Sequence, residues 1–231
     1  MNNSPLSPRA IGSLRFDTGK HIIPFKPDTG DLARAVSASI GHAAMTKATP
    51  LPEEPARLAL LARIDRPLVL VGMMGVGKSS VGRKLAHYLG LAFADADDAI
   101  EEAAHMPIAD IFTQFGEAHF RDGERRVIAR LVDGTPKVIA TGGGAFIDDA
   151  TRALILSAST AIWLSARPEV LAERVGRRDT RPLLRNRNAQ EVLSELARVR
   201  NPIYAQAHIH IASQKAPHEA TVAAILKALR A

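Results

Sequence analysis

The residues with the plainest chemical meaning are Gly72-Met73-Met74-Gly75-Val76-Gly77-Lys78-Ser79. They fit G-x-x-x-x-G-K-[ST], the pattern of a phosphate-binding loop. Its glycines permit a tight turn and keep side chains away, so successive N–H groups and a helix N-terminus can face an anion. Lys78 supplies a point charge for β- and γ-phosphates, and the Ser79 hydroxyl suits magnesium. The flanks support the motif. Pro67 to Val71 is a short apolar run that predicts a buried strand, and Val81, Leu85, Tyr88 and Leu89 then recur at helical spacing.

Three more clusters carry chemistry. Asp95 and Asp97 bracket one residue after the predicted strand Leu91 to Ala94. In extended backbone alternate residues point the same way, so both carboxylates would enter one site. One would hold magnesium through water, and the other would accept a hydrogen bond from an alcohol acceptor. The competing reading is a helix cap at Asp97 or Asp98. Gly142-Gly143-Gly144 offers bare backbone to a ligand, or forms a tight strand-to-helix turn. Arg174, Arg177, Arg178, Arg181, Arg185 and Arg187 crowd a stretch without hydrophobic periodicity that Pro182 interrupts. That composition suits a basic lid over phosphates at 177–187, with a solvated charged face as the plainer alternative. Arg121 and Arg200 fall on predicted helices and read by themselves as solvated arginines. His208-x-His210 reads as ordinary strand positions.

The elements that must position these groups alternate. Helical patterning resumes at Ile100, and Pro107 opens a short helix to Phe115. After Gly116 a longer helix turns Phe120, Val127, Ile128 and Leu131 to one face. Lys137 to Ala140, Thr160 to Leu164 and His208 to Ala212 read as strands, with helices over Thr151 to Leu156 and Pro168 to Gly176. Val192, Leu196, Val199 and Ile203 form the stripe of another helix, whose end Pro202 distorts. Val222, Ile225, Leu226 and Leu229 face inward from the last. This alternation predicts an α/β three-layer P-loop NTPase fold, with a parallel sheet covered by helices on both faces. Ligands of such sheets bind outside the carboxyl ends of the strands, where the phosphate loop, the aspartate pair and the triple glycine all fall.

At 231 residues and 46% hydrophobic content the chain can build one globular domain plus an appendage. Residues 1–57 are punctuated by proline and glycine, and only Asp31 to Met45 could form a helix, with a small alanine-rich face. They read as a mostly disordered extension, with a docking segment for a partner as the sharper alternative, and 58–231 as the domain. The start has no secretory pattern, and Asp17, Asp28, Asp31, Glu53 and Glu54 count against a transit peptide. The net charge of +6 suits a nucleotide as well as a nucleic acid, but 4% aromatics argue against a base-stacking surface. No nucleic-acid partner is expected. No apolar run approaches a membrane span, so no membrane partner is expected either. The absence of cysteine excludes disulfides, thiolate metal sites and a cysteine nucleophile, and fits a cytoplasmic protein. A monomer is the expected state.

With these residues in place, the chain from about Pro67 onward resembles the shikimate kinase family. The carriers are Gly-Met-Met-Gly-Val-Gly-Lys-Ser, Phe93-Ala-Asp-Ala-Asp-Asp-Ala-Ile-Glu101, Ile108-Ala-Asp-Ile-Phe, Gly116-Glu and Phe120-Arg121. Gly142-Gly-Gly-Ala, Arg181-Pro-Leu-Leu and Arg200-Asn-Pro-Ile-Tyr204 complete the set in the family's order. The resemblance implies a five-stranded parallel sheet of the nucleoside-monophosphate-kinase type and ATP-dependent phosphorylation of the shikimate 3-hydroxyl. It implies that Lys78, Asp97 and Arg181 are catalytic, with Asp97 orienting the hydroxyl. Gly75, Val76, Gly77, Lys78, Ser79, Ser80, Arg174 and Arg181 would bind ATP, with Arg174 against the adenine. Arg121, Arg200, Gly143 and Gly144 would join Asp97 around shikimate. Ser79 and Asp95 would place Mg2+. Thr141 and the loop Ser213 to Pro217 depart from the family pattern, and that loop stays outside the expected site. A gluconate kinase of the same fold should lack the Asp-x-Asp, triple-glycine and Arg-Pro-Leu-Leu set. A GTPase should carry Asn-Lys-x-Asp, which this sequence lacks. A non-catalytic binding module would have no use for an intact Lys78, Asp97 and Arg181.

Overall fold

The computed structural model describes residues 51, 53–176, 189–213 and 216–231. The expected extension up to residue 50, the lid at 177–187 and Arg181 therefore lie outside the described residues. Within them, five strands make one sheet: β1 (Leu68–Val71), β2 (Ala92–Asp95), β3 (Lys137–Ala140), β4 (Thr160–Ser165) and β5 (Ile209–Ala212). Their order is β2-β3-β1-β4-β5 and every pairing is parallel. Leu68 pairs with Val138 on one side and Thr160 on the other, so the carboxyl ends of the central strands open on one edge. All four residues of β1 and of β3 are buried. Because neighbouring side chains of a strand point to opposite faces, both faces of the sheet are covered, as expected.

Eight helices surround the sheet among the described residues: α1 (Glu54–Leu61), α2 (Lys78–Leu89), α3 (Ala96–Ala104), α4 (Ile108–Leu131), α5 (Asp149–Ala158), α6 (Pro168–Gly176), α7 (Ala189–Tyr204) and α8 (His218–Ala228). α2 lies on β1, β2 and β3 and packs against α8, while α5 joins β4 to α4. α4 changes direction at Gly116, whose φ of 79° and ψ of 175° are not helical. The two helices expected on either side of that glycine thus run end to end.

Two elements differ from expectation. The boundary expected near Leu58 falls inside α1, which starts at Glu54 and sinks Leu60 into the main core. Pro55 is compatible because it sits in the first turn, where a missing N–H has no helical partner to lose. Arg57 then donates to the carbonyl of Leu89, at the end of α2. In α7 the expected stripe lies to one side of the inward face, although its Leu196 and Ile203 still pack against the main core. The buried side is Leu193, Ala197 and Tyr204, and Val199 is 54% exposed. Counting aliphatic residues missed the phase because Arg200, half-buried one turn before Tyr204, belongs to the inward side. Pro202 does not stop the helix, since it lies in the last turn, which runs on to Tyr204.

The apolar residues divide into two clusters. The larger fills the space around the sheet. The smaller joins Ile100 and Ala104 of α3 to Ile111, Phe120 and Val127 of α4. It fixes the two helices that carry Asp97 and Arg121.

Leu60 is 2% exposed and anchors α1 to the main core. Leu60→Ala should destabilise the protein by about 2–5 kcal/mol through lost burial and the cavity left behind. A urea midpoint that does not move would show that α1 is not part of the cooperative unit.

Candidate active site

The loop between β1 and α2 lies close against its neighbours. A Cβ on Gly72 would fall 2.3 Å from the carbonyl oxygen of Leu164, and one on Gly75 would fall 2.6 Å from Cγ2 of Val175. Gly77, with φ of 99°, is the N-cap of α2. No side chain caps that helix among the described residues, and its first turn carries no acid. Its positive end is thus kept for an anion. Lys78 is 8% exposed, and its Nζ donates to the carbonyls of Gly72 at 2.8 Å and Met73 at 3.0 Å. Below the loop, the Cδ1 of Trp163 would lie 3.3 Å from a Cβ on Gly72, and its ring stacks on Tyr204 at 6.1 Å.

A cavity of about 500 Å³ opens above this loop. Of the expected site residues, Gly75, Gly77, Lys78, Ser79, Ser80, Asp95, Asp97, Gly143 and Arg174 line it. Arg121, Gly144 and Arg200 lie outside this lining, as does Val76, whose side chain is fully buried and whose carbonyl accepts hydrogen bonds from Arg174 and Ser213.

Asp95 and Asp97 reach the cavity by a different route from the expected one. The backbone does not stay extended. Asp95 ends β2 and is the N-cap of α3, its Oδ1 accepting from the Asp97 amide at 3.2 Å. Asp97 therefore belongs to the first turn of the helix. A cap is present, but it is Asp95 and not the expected Asp97 or Asp98, and both Asp95 and Asp97 line the cavity.

None of Gly142, Gly143 and Gly144 has a positive φ. These glycines provide room. A Cβ on Gly142 would fall 2.7 Å from Oδ1 of Asp97 and 3.3 Å from Oε1 of Glu124. The carbonyl of Gly143 accepts from the Tyr204 hydroxyl at 2.5 Å. A Cβ on Gly144 would fall 2.5 Å from Nη2 of Arg121. Side chains from three helices thus meet this stretch, two of them where a Cβ would have no room, at Gly142 and Gly144. A turn is present too, since Ala145 and Ile147 bond back to Gly142 and Gly144.

Arg121 lies against Gly144, and Arg200 acts on the Tyr204 hydroxyl. Arg121 donates to Glu124 at 2.6 Å and more loosely to Glu117 at 3.3 Å. Burial pushes the Tyr204 phenol up to about 12, and the opposing influences are Arg200, by charge and hydrogen bond, and Arg121. Both guanidinium groups are therefore within electrostatic reach of one hydroxyl. Glu124 was not expected. It is 1% exposed, and burial pushes its carboxyl above the ordinary value of 4.5; Arg121 opposes the rise, while Asp97 and Asp148 add to it. In the sequence it reads as an ordinary helix partner three residues after Arg121.

The far wall is formed by Arg174, Ala216, Pro217 and His218. Arg174 bonds to the Val76 carbonyl and the Ser213 hydroxyl, both at 3.3 Å. Leaving the loop after β5 outside the expected site missed this wall. Its position at a strand carboxyl end was the available signal.

Known proteins point the same way. A family model described as Shikimate kinase matches residues 74–230. A shikimate kinase of Novosphingobium aromaticivorans is 59% identical over 172 residues, covering 72% of this chain and 89% of that protein. One from Caulobacter vibrioides is 56% identical over 165 residues, covering 71% and 82%. A solved shikimate kinase from Acinetobacter baumannii, in complex with shikimate, superposes with a TM-score of 0.68 at 34% identity, covering 71% of this chain and 93% of that one.

Glu124 gives the site a pH signature. Its folded pKa lies above its unfolded value, so the folded state holds this proton more tightly. The stability it contributes is present below about 4.5 and is lost as the pH rises through the folded pKa. Glu124→Gln, which stays neutral, should gain on the wild type in urea midpoint as the pH climbs from about 4.5. If the wild type gains instead, Arg121 holds Glu124 charged and the direction is reversed.

Proposed function

The chain belongs to the shikimate kinase family, and we infer that it transfers the γ-phosphoryl group of ATP to the 3-hydroxyl of shikimate. Shikimate 3-phosphate and ADP are the products, in the route to chorismate and the aromatic amino acids. The observation that carries this reading is the seating of Asp97 on Gly142 and of Arg121 on Gly144, with Arg200 beside the Tyr204 hydroxyl that bonds to Gly143, next to a complete phosphate loop.

The geometry supports the following division of labour. Backbone N–H groups of Gly75 to Ser80 and the α2 N-terminus hold phosphate oxygens. Lys78 is held beside the loop carbonyls, so little reorganisation is needed for it to meet the charge that develops on the transferred group. Arg121 and Arg200 offer guanidinium forks to the shikimate carboxylate, with Gly143 and Gly144 beneath it. Asp97 accepts the hydrogen bond of the 3-hydroxyl, which fixes that oxygen for attack on the γ-phosphorus as the bond to ADP breaks. Arg174 and Pro217 flank the place for the adenine. For Arg181 the proposal rests on the Arg-Pro-Leu-Leu motif alone.

Ser79, Asp95 and Asp97 present hydroxyl and carboxylate oxygens to one cavity, a donor set that fits Mg2+ held largely by water and phosphate. When bound, the ion neutralises charge on the β- and γ-phosphate oxygens. Ser79 would be its direct ligand and Asp95 would hold it through water. The proposed division of the chain is an extension ahead of α1 and a kinase domain from α1 onward. No helix among the described residues is long and apolar enough to cross a membrane. A cytoplasmic monomer without nucleic-acid or membrane partners completes the proposal, supported by the absence of cysteine.

Coupled ADP release with shikimate, gluconate and no acceptor tests the activity. Lys78→Ala should lower kcat by about 10²–10³-fold with the fold intact. An unchanged kcat in the folded variant would reject the role of the loop.

Gly144→Ala tests acceptor recognition without touching a charge. The new methyl would sit where the Arg121 guanidinium now lies, which Glu124 restrains. KM for shikimate should rise roughly tenfold or more, as expected for losing a charge-assisted contact, while KM for ATP holds. A wild-type enzyme that phosphorylates an acceptor lacking the carboxylate equally well would remove the basis for the two arginines.

A further inference from the structure

One lining residue has no part in the chemistry so far. His218 opens α8 directly after Pro217 and faces the same cavity as Lys78 and Arg174. Its ring edge covers the last glycine of the phosphate loop: a Cβ on Gly77 would fall 3.1 Å from Cε1 and 3.5 Å from Nδ1. Nδ1 is enclosed and has no hydrogen-bond partner among the described residues. A proton on that nitrogen would be a buried, unmatched donor, so the less costly tautomer carries its proton on Nε2. Burial, and then the charge of Arg174, hold the imidazole below its ordinary value and hence neutral at pH 7; Lys84 acts in the same sense and Glu219 against it. Glu219 is itself engaged by Lys84 at 2.6 Å.

We propose that His218 is a nucleotide-binding residue whose Nε2–H donates to an oxygen of the bound ATP, between the phosphate loop and the adenine wall. The placement supports this end of the nucleotide. Gly77 marks the phosphate side, and Arg174, Ala216 and Pro217 mark the base side. The oxygen is therefore a ribose hydroxyl or the phosphate next to it. Lys78 and Arg174 already supply positive charge to this space, so a neutral donor adds direction without more repulsion among cations. The inference rests on the cavity being an ATP site, as proposed above.

The test compares wild type, His218→Phe, His218→Gln and His218→Ala by ADP titration calorimetry and by KM for each substrate. Phenylalanine keeps the cover on Gly77 and removes the donor. Glutamine returns an N–H near the position of Nε2. His218→Phe should raise the ADP Kd and the ATP KM about three- to tenfold, the range of one neutral hydrogen bond, with KM for shikimate unmoved. His218→Gln should recover most of that loss. A Phe variant with wild-type affinity would overturn the proposal, because packing alone would then suffice. A Gln variant as weak as Phe would overturn it too. Melting curves on all four proteins identify a variant weakened by misfolding, and Gln against Phe then decides. Repeating the titration with 2′,3′-dideoxy-ADP tells the sources apart: equal losses for both nucleotides in Phe assign a phosphate oxygen, and a loss confined to ADP assigns a ribose hydroxyl. If wild type binds ADP in a donor-dependent way but ignores shikimate, the activity reading fails and this one stands.

Discussion

The site depends on side chains that are missing at two positions, Gly142 and Gly144. Gly142, Gly143 and Gly144 need no unusual backbone, since none has a positive φ. What they provide is absence. A methyl at the first would strike Asp97, and one at the third would strike Arg121. The middle glycine's carbonyl anchors the Tyr204 hydroxyl. Asp97, Arg121 and Tyr204 come from α3, α4 and α7, three elements far apart in the chain. They meet because one short stretch after β3 gives way to all of them.

Around that floor the two apolar clusters have separate tasks. The main core sets the sheet and with it the phosphate loop, whose Gly72 lies against β4 so closely that no side chain could be placed there. The smaller cluster sets α3 against α4. The two overlap, since Ala96 of α3, Ile128 of α4 and Tyr204 of α7 also belong to the main core. Glu124 acts on the acceptor side: a buried acid is costly alone, and its partner Arg121 both offsets that cost and is oriented by it.

What could be read in the sequence was what depends on local backbone. The phosphate loop was legible because glycine spacing, lysine and serine act within one turn. Parallel alternation was legible because buried strands are short apolar runs. Asp95 and Asp97 do line one cavity, but through a helix start where extended alternation was assumed. Three things were hidden because they depend on the tertiary fold. The inward side of α7 includes an arginine, which a hydrophobic count skips. Glu124 and His218 are ordinary surface residue types until burial makes them matter. Leu60 ties α1 to the core although the proline-rich stretch ahead of it looks unstructured in sequence.

The chain contains a single tryptophan. Trp163 sits beneath Gly72 of the phosphate loop, stacks on Tyr204 and meets His210 edge-on at 5.3 Å. Its indole N–H is enclosed with no hydrogen-bond partner among the described residues. Intrinsic emission at long excitation wavelength therefore comes from one joint, where the nucleotide loop and the helix bearing Arg200 touch. The protein has a native optical probe at the seam between its two ligand halves, and an added dye is unnecessary. Changes in that long-wavelength emission report on the surroundings of Trp163.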